Sequence, residues 1–199
     1  MSYVIAVAGL PASGKSSLAE YLAREARLPL ICKDSIKEAL FDTVGFHSRQ
    51  EKTTLNRAAL KIMFYVGEQI IRAGQNVILE NNFENDAYPY FEMLLEHNDV
   101  HCITISVGGD TKTIYERYVR RNRDPSRHRG HVLSTEYPEK KNPGHIPEPI
   151  AFKEFCQGFQ ERGMMDFKIG ESVIYVDTTD FSKMRYEDIL SALKQKLKE

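Results

Sequence analysis

Short apolar runs alternate with longer amphipathic stretches along most of this chain. The apolar runs are rich in valine, isoleucine and leucine and have the length of buried strands. They predict five strands, at about residues 3–8, 29–32, 76–80, 100–106 and 172–177. Apolar residues at helical spacing predict helices between the strands, at about residues 17–26, 55–70, 110–121 and 186–198. This alternation is typical of an α/β fold in which helices cover both faces of a parallel sheet.

One segment, Arg123 to Pro149, interrupts the alternation with prolines, glycines, histidines and arginines and has little apolar periodicity. A stretch of this length without secondary structure is usually functional or disordered. We therefore expect a lid or insert at about residues 123–149, with a surface excursion of no function as the alternative.

The first predicted strand runs directly into a glycine-rich turn. Residues 9–16 read Gly-Leu-Pro-Ala-Ser-Gly-Lys-Ser and fit the phosphate-binding pattern G-x-x-x-x-G-K-[ST]. A chance match is the alternative, but the strand before the turn and the helix after it favour a phosphate-binding loop. Lys15 would bridge the β- and γ-phosphates of a nucleotide, and the Ser16 hydroxyl would be a ligand of Mg²⁺. The residues expected to bind ATP here are Gly9, Ala12, Ser13, Gly14, Lys15, Ser16 and Ser17.

Composition limits what this loop can belong to. The 199 residues are 42% hydrophobic, which suits a single domain spanning residues 1–199. A net charge of −1 argues against a broad nucleic-acid surface. The sequence predicts neither a signal peptide nor a membrane span. Three widely spaced cysteines, Cys32, Cys102 and Cys156, indicate reduced thiols in a cytoplasmic protein.

A charged cluster, residues 33–38, follows the second predicted strand. Ser35 and Glu38 have the spacing of a helix capping box, which would leave Asp34 just outside the helix. Because the carboxyl ends of parallel strands form the ligand-binding edge, Asp34 is expected to share a cleft with Lys15. It could there take the proton of an acceptor hydroxyl. The alternative is that Asp34 only caps the helix.

Glu80 ends the third predicted strand and is followed by two asparagines. An acidic residue at this point of a phosphate-loop protein is the expected partner of Mg²⁺. The metal ligands are therefore predicted to be Ser16 and Glu80. The alternative is that Glu80 only makes the end of the strand polar.

Arginines crowd the end of the third predicted helix, at 110–121, and the chain beyond it, from Arg117 to Arg129. One or two would be explained by the helix dipole, but this number exceeds that need. Guanidinium groups bind phosphate oxygens and stabilise charge on a transferring phosphoryl group. Arg123 and Arg127 are expected to act in catalysis, together with Lys15 and Asp34. Arg120 and Arg129 are expected to bind ATP.

The phosphate loop, the Lys-Asp-Ser-Ile-Lys run at 33–37, the Ile-Leu-Glu-Asn-Asn run at 78–82 and the arginine-rich segment together resemble P-loop kinases of the polynucleotide-kinase-like group. Chloramphenicol phosphotransferases and zeta toxins are similar at a greater distance. The resemblance implies the P-loop NTPase fold with strand order 2-3-1-4-5, an arginine-rich lid, and Asp34 as the base. It also implies that the loop after Asp177 lies near the adenine.

Two positions depart from the pattern of that group. Glu80 stands where aspartate is common, and Lys37 stands where arginine is frequent, which puts the acceptor contact of that position in doubt. The chain from Tyr137 to Pro149 has no counterpart in the group.

These observations predict an ATP- and Mg²⁺-dependent kinase that phosphorylates a hydroxyl of a small-molecule or nucleotide-like acceptor. A polynucleotide acceptor is less favoured, because no aromatic stacking platform is interleaved with basic residues outside the lid. The alternative from another class is a nucleotide-dependent switch that hydrolyses ATP slowly.

Overall fold

A sheet of five parallel strands forms the centre of the computed structural model, which describes residues 2–96, 99–140, 144–170 and 172–198. The strands lie in the order β2-β3-β1-β4-β5, and every pairing is parallel. The predicted fold class and strand order are therefore confirmed. The strands are β1 (Ser2–Gly9), β2 (Leu30–Cys32), β3 (Val77–Glu80), β4 (Val100–Gly108) and β5 (Ser172–Asp177).

Helices connect the strands and cover both faces of the sheet. Within the described residues they are α1 (Lys15–Ala26), α2 (Lys33–Val44), α3 (Arg49–Arg72), α4 (Tyr88–Glu96), α5 (Thr111–Arg123), α6 (Arg129–Val132), α7 (Phe152–Glu161) and α8 (Tyr186–Lys196). Short 3-10 helices lie at Asn85–Ala87 and Phe181–Lys183. No helix among these residues is both long and apolar enough to cross a membrane.

Successive residues of the central strand β1 point to opposite faces, and each face has its own core. Val4 and Ala6 pack with apolar residues of α3 and α4, whereas Ile5 and Val7 pack with those of α1 and α8. All four are fully buried. Because both faces are covered, β1 appears in the sequence as a continuous apolar run instead of an alternating pattern.

The pairing register brings the carboxyl ends of the strands to one edge of the sheet. Glu80 at the end of β3 lies level with Val7 of β1 and Cys32 of β2. On the other side of β1, Gly9 lies level with Val107 of β4. The loop after β1, the start of α2 and the end of β3 therefore meet at the same edge.

The predicted capping box at the start of α2 is wrong. Helix α2 begins at Lys33, immediately after β2, and its N-cap residue is Cys32, without a side-chain capping hydrogen bond. Asp34 therefore lies inside the first turn instead of outside the helix. Ser35 already lies within the helix, and the Glu38 carboxylate instead contacts Nε2 of His131 at 2.6 Å. The strand passes into the helix without a loop, so Ser35 comes too late to serve as the cap.

The segment at 123–149 docks onto α2 and the residues that follow it. Phe46 and Tyr137 form an antiparallel bridge with two backbone hydrogen bonds of 2.8 Å each. The Phe41 ring lies against Phe46, His128, His131 and Tyr137. This aromatic contact, together with α6, gives the segment a fixed position that the sequence did not predict. Its action as a lid stays a prediction, and residues 141–143 lie outside the described part of the chain.

Candidate active site

The turn between β1 and α1 has the backbone geometry of a phosphate-binding loop. Gly9 and Gly14 have φ angles of 150° and 90°, which favour glycine, and Gly14 is the N-cap of α1. A Cβ at Gly9 would collide with the carbonyl oxygen of Val107. Within the described residues, the buried Ser13 hydroxyl has no hydrogen-bond partner. The loop thus combines a helix N-terminus, which attracts anions, with a hydroxyl that is free to bind one.

Lys15, the first residue of α1, has its ammonium group buried beside Glu80. Its Nζ lies 3.7 Å from Oε1 of Glu80 and donates a 3.4 Å hydrogen bond to the carbonyl oxygen of Leu10. Burial lowers the pKa of Lys15, while the negative charges of Glu80 and Asp34 oppose this change. The ammonium is therefore held at the loop by a carboxylate of the neighbouring strand.

Glu80 is 3% exposed, and both of its oxygens have contacts. Oε1 faces Lys15, and Oε2 accepts a 2.8 Å hydrogen bond from Sγ of Cys32. Burial raises the pKa of Cys32 to about 11, and the charge of Glu80 adds to this effect. The thiol therefore stays protonated and can donate, which fixes the orientation of the carboxylate.

The residues at this edge fit a hard cation. The described part of the chain contains no group of three or more His, Cys, Asp or Glu that could hold a metal ion by itself. Mg²⁺ binds through a few protein oxygens and keeps several waters, so a hydroxyl and a carboxylate suffice when a nucleotide supplies the rest. The Ser16 hydroxyl and the Glu80 carboxylate are oxygen donors of that kind.

Asp34 lies between two cations. Its Oδ1 is 2.7 Å from Nζ of Lys37, and its Oδ2 is 3.9 Å from Nη2 of Arg127. Burial alone would raise the pKa of Asp34, but Lys37, His131 and Lys15 outweigh it and hold the pKa well below its ordinary value. The carboxylate is therefore ionised at neutral pH. The negative charge of Asp34 also opposes the lowering of the pKa of Lys15, so the carboxylate interacts electrostatically with the loop.

Arg127 has hydrogen-bonding capacity that the described residues do not use. Its side chain is 14% exposed, and its buried Nε has no partner among them. Burial lowers the pKa of Arg127, and the positive charge of Arg121 adds to this effect. Guanidinium groups bind anions, so the mutual repulsion of Arg127 and Arg121 would be relieved by an anion near both.

The arginines of α5 that face the loop are Arg117 and Arg121, neither of which was among the predicted site residues. They line a cavity of about 330 Å³ together with Ala12, Gly14, Lys15, Ser16, Ser17 and Phe181. Helical spacing could have identified them, because positions 117 and 121 follow the buried Ile114 by three and seven residues and share its face.

The other predicted arginines lie elsewhere. Arg120 and Arg123 are exposed on α5 and do not line this cavity. Arg129 is held by hydrogen bonds of 3.1 and 3.0 Å to Glu139 and of 2.6 Å to the carbonyl oxygen of His145. Their roles at ATP or in catalysis stay predictions, which this geometry does not favour.

Phe181 closes the cavity on the side of β5. Its ring centroid lies 3.8 Å from Cζ of Arg117, and a Cβ at Gly14 would lie 2.7 Å from the ring. Arg117 also donates hydrogen bonds of 2.6 and 2.8 Å to the carbonyl oxygens of Thr178 and Thr179. The loop after Asp177 therefore meets the phosphate loop, in the place expected for a nucleotide base.

Comparisons with known proteins agree with this fold. A family model described as an AAA domain matches residues 4–136. A candidate kinase from Chloroflexus aurantiacus is 25% identical with a TM-score of 0.73, over 99% of this chain and 96% of its own.

Two further solved structures share the fold at lower identity. A sugar kinase from Janibacter sp. is 16% identical with a TM-score of 0.57, over 100% of this chain and 95% of its own. The Mycobacterium tuberculosis APS kinase in complex with AMPPNP and APS is 13% identical with a TM-score of 0.57, over 100% of this chain and 98% of its own. No curated protein matches. The finer resemblance to polynucleotide kinases, chloramphenicol phosphotransferases and zeta toxins stays a prediction.

Two adjacent arginines give a direct test of this geometry. Arg121→Gln is expected to weaken Mg-ATP binding about tenfold or more, because it removes a cation from the wall of the cavity. Arg120→Gln removes the same charge one residue away, on the exposed face, and is expected to change the affinity by less than about twofold. Isothermal titration of both variants measures this difference. Equal losses in the two variants would contradict the assignment of Arg121 to the site.

Proposed function

We propose a function for this chain, which belongs to the AAA domain family whose model matches residues 4–136. Our proposal is an ATP- and Mg²⁺-dependent kinase that transfers the γ-phosphoryl group to a hydroxyl of a small-molecule or nucleotide-like acceptor. The observation that carries it is the position of Asp34, which is ionised, flanked by Lys37 and Arg127, and coupled electrostatically to Lys15.

The phosphate loop and the residues around it would hold the nucleotide. Amides at the start of α1 and the Lys15 ammonium neutralise phosphate oxygens, and Arg121 faces them across the cavity. Ser16 and Glu80 would hold Mg²⁺, which would supply positive charge to offset the negative charge that develops during transfer. These groups accelerate transfer through position and charge, because phosphoryl transfer needs little covalent help from the protein.

Asp34 would orient the acceptor hydroxyl and take its proton. The acceptor oxygen forms a bond to the γ-phosphorus as the bond from that phosphorus to the bridging oxygen breaks, and ADP leaves. The proton passes to Asp34. A carboxylate with a low pKa is a weak base, but in a loose transition state the proton moves late, when the acceptor oxygen has become acidic. The nearby Lys37 and Arg127 keep the carboxylate ionised and in place.

The segment at residues 128–137, which we call the docked segment, favours a small acceptor over a polynucleotide. Residues 128–137 cover the side of α2 that carries Phe41 and are joined to the chain after α2 by the bridge from Phe46 to Tyr137. Lys52 of α3 fastens the same segment through the carbonyl oxygens of His131 and Leu133. The docked segment is thus held by α2, by the chain after α2 and by α3. Such a fixed segment leaves less room for a polymer than for a compact molecule.

Similarity to known proteins supports the proposal at one point. The Chloroflexus protein, 25% identical over nearly the whole chain, is a candidate kinase. The sugar kinase and the APS kinase share the fold only. The competing function is a nucleotide switch with slow hydrolysis, in which the same carboxylate would act on a water molecule instead of an acceptor hydroxyl.

Asp34→Asn tests the proposed base. With any accepted substrate, phosphoryl transfer is expected to fall about 10²- to 10⁴-fold, the usual contribution of a positioned proton acceptor. ATP affinity should change little, because the loop and not Asp34 binds the phosphates, and a melting curve should show that the variant is still folded. Acceptors are found by measuring ADP release across nucleosides, sugars, antibiotics and 5′-hydroxyl oligonucleotides.

The matched control is Ser35→Ala, one residue away on the exposed side of the same turn. It should retain transfer, because the Ser35 side chain is exposed and no charged group contacts it among the described residues. Full transfer activity in Asp34→Asn would remove the catalytic assignment and favour the nucleotide switch.

Phe181→Trp tests whether a nucleotide base lies against the loop after β5. The chain has no tryptophan, so the variant carries a single fluorophore at the cavity. AMPPNP should change its fluorescence by stacking or by moving the ring, whereas inorganic tripolyphosphate, which has no base, should change it much less. Tyr175→Trp, on the exposed edge strand β5, is the control and should respond to neither. Equal responses of Phe181→Trp to the two ligands would exclude base contact at this position.

A further inference from the structure

We propose that the acceptor carries an anionic group, a phosphate ester or a carboxylate, next to the hydroxyl that is phosphorylated. This inference rests on the proposed kinase function and names the class of its second substrate. The groups that would bind the anion are Lys33, Lys37, Lys52 and Arg127, which we call the acceptor-side cluster.

Three elements contribute to the acceptor-side cluster. Lys33 and Lys37 are four residues apart and therefore share one face of α2. Lys52 comes from α3, and Arg127 from the segment after α5. None of the four belongs to the residues that line the ATP cavity, which come from the phosphate loop, α1, α5 and Phe181. The cluster therefore adds positive charge beyond what the nucleotide site already has.

Carboxylates in direct contact with the acceptor-side cluster are few. Among the described residues, neither Lys33 nor Lys52 has a carboxylate oxygen within 4.0 Å, although Lys33 is only 7% exposed. Lys37 and Arg127 share a single carboxylate, that of Asp34. The buried Nε of Arg127 has no hydrogen-bond partner there. Cations that are removed from water without a counter-ion cost free energy, and an anionic ligand would offset that cost.

The charges of the acceptor-side cluster act on one another. Burial lowers the pKa of Lys33, and the charge of Lys37 lowers it further, while Asp34, Glu84 and Asp86 oppose this. Burial lowers the pKa of Lys52 to about 8, with added effects from Lys37, Arg127 and Arg49. The charge of Lys37 thus acts on both of the other lysines. An anion bound at its ammonium would favour the charged form of both.

A purely structural role explains only part of this arrangement. Lys52 donates to the carbonyl oxygens of His131 and Leu133, which fastens the docked segment to α3. Those carbonyl groups are neutral and leave the charge of Lys52 uncompensated. Lys33 has no hydrogen-bond partner of its side chain among the described residues, so a fastening role does not account for it.

The test measures anion binding while the nucleotide site is filled. Inorganic phosphate and malonate, as probes for a phosphate ester and a carboxylate, are titrated calorimetrically into protein saturated with AMPPNP. Lys33→Gln and Lys52→Gln should weaken binding of the preferred probe about tenfold or more, with AMPPNP affinity nearly unchanged. Lys61→Gln, an exposed lysine on the same helix as Lys52, should bind as the parent does. If Lys52→Gln fails to fold, Lys33→Gln decides.

The outcomes separate the two proposals. If AMPPNP-saturated protein binds neither probe, or if all variants bind equally well, the acceptor-side cluster is not an anion site. If AMPPNP itself does not bind, the kinase proposal fails instead. Titration of phosphate into Lys15→Ala, whose phosphate loop is disabled, then tests the cluster alone. If the further change Lys33→Gln abolishes phosphate binding, the cluster is supported. If phosphate binding is retained, the proposed anion site is overturned. Preference for phosphate indicates a phosphate ester, and preference for malonate indicates a carboxylate.

Discussion

The buried contact between Lys15 and Glu80 is the interaction on which the site depends. It joins the loop after β1 to the end of β3, two strands that are neighbours at the middle of the sheet. A buried ion pair is seldom more stabilising than apolar residues of the same volume, so stability alone does not explain why these two charges lie there. The parallel register makes the contact possible, because it sets Glu80 level with Val7, just before the loop begins.

Asp34 divides the charged edge of the sheet into two sides. On one side, the loop amides, Lys15 and Arg121 surround the place where phosphates would bind. On the other side lies the acceptor-side cluster, whose Lys37 contacts Asp34 directly. A carboxylate between two cationic sites is suited to a reaction in which an anion is transferred from a donor on one side to an acceptor on the other. The segment at 128–137 packs against Phe41 of α2, next to the proposed acceptor side.

Local sequence patterns predicted the secondary structure and the phosphate loop, but they did not predict the contacts between distant segments. The strands and the phosphate loop followed from apolar runs and one motif, whereas the strand order followed only from the resemblance to P-loop kinases. The start of α2 was predicted wrongly. Strand β2 ends at Cys32 and α2 begins at Lys33 without a loop between them, and a capping pattern does not reveal the absence of a loop. Composition could not tell which arginines face the loop, although the spacing from Ile114 separates Arg121 from Arg120. The bridge between Phe46 and Tyr137 joins positions too far apart for any local pattern to indicate.

The central claim is that the γ-phosphoryl group of ATP goes to an alcohol and not to water. The most direct measurement is ³¹P nuclear magnetic resonance of a reaction that contains the protein, Mg-ATP and an acceptor identified by ADP release. The account predicts a new phosphate monoester signal that grows in step with ADP, with little inorganic phosphate. If ADP and inorganic phosphate grow together and no ester appears with any acceptor, the protein is a nucleotide hydrolase or switch, and the account is contradicted.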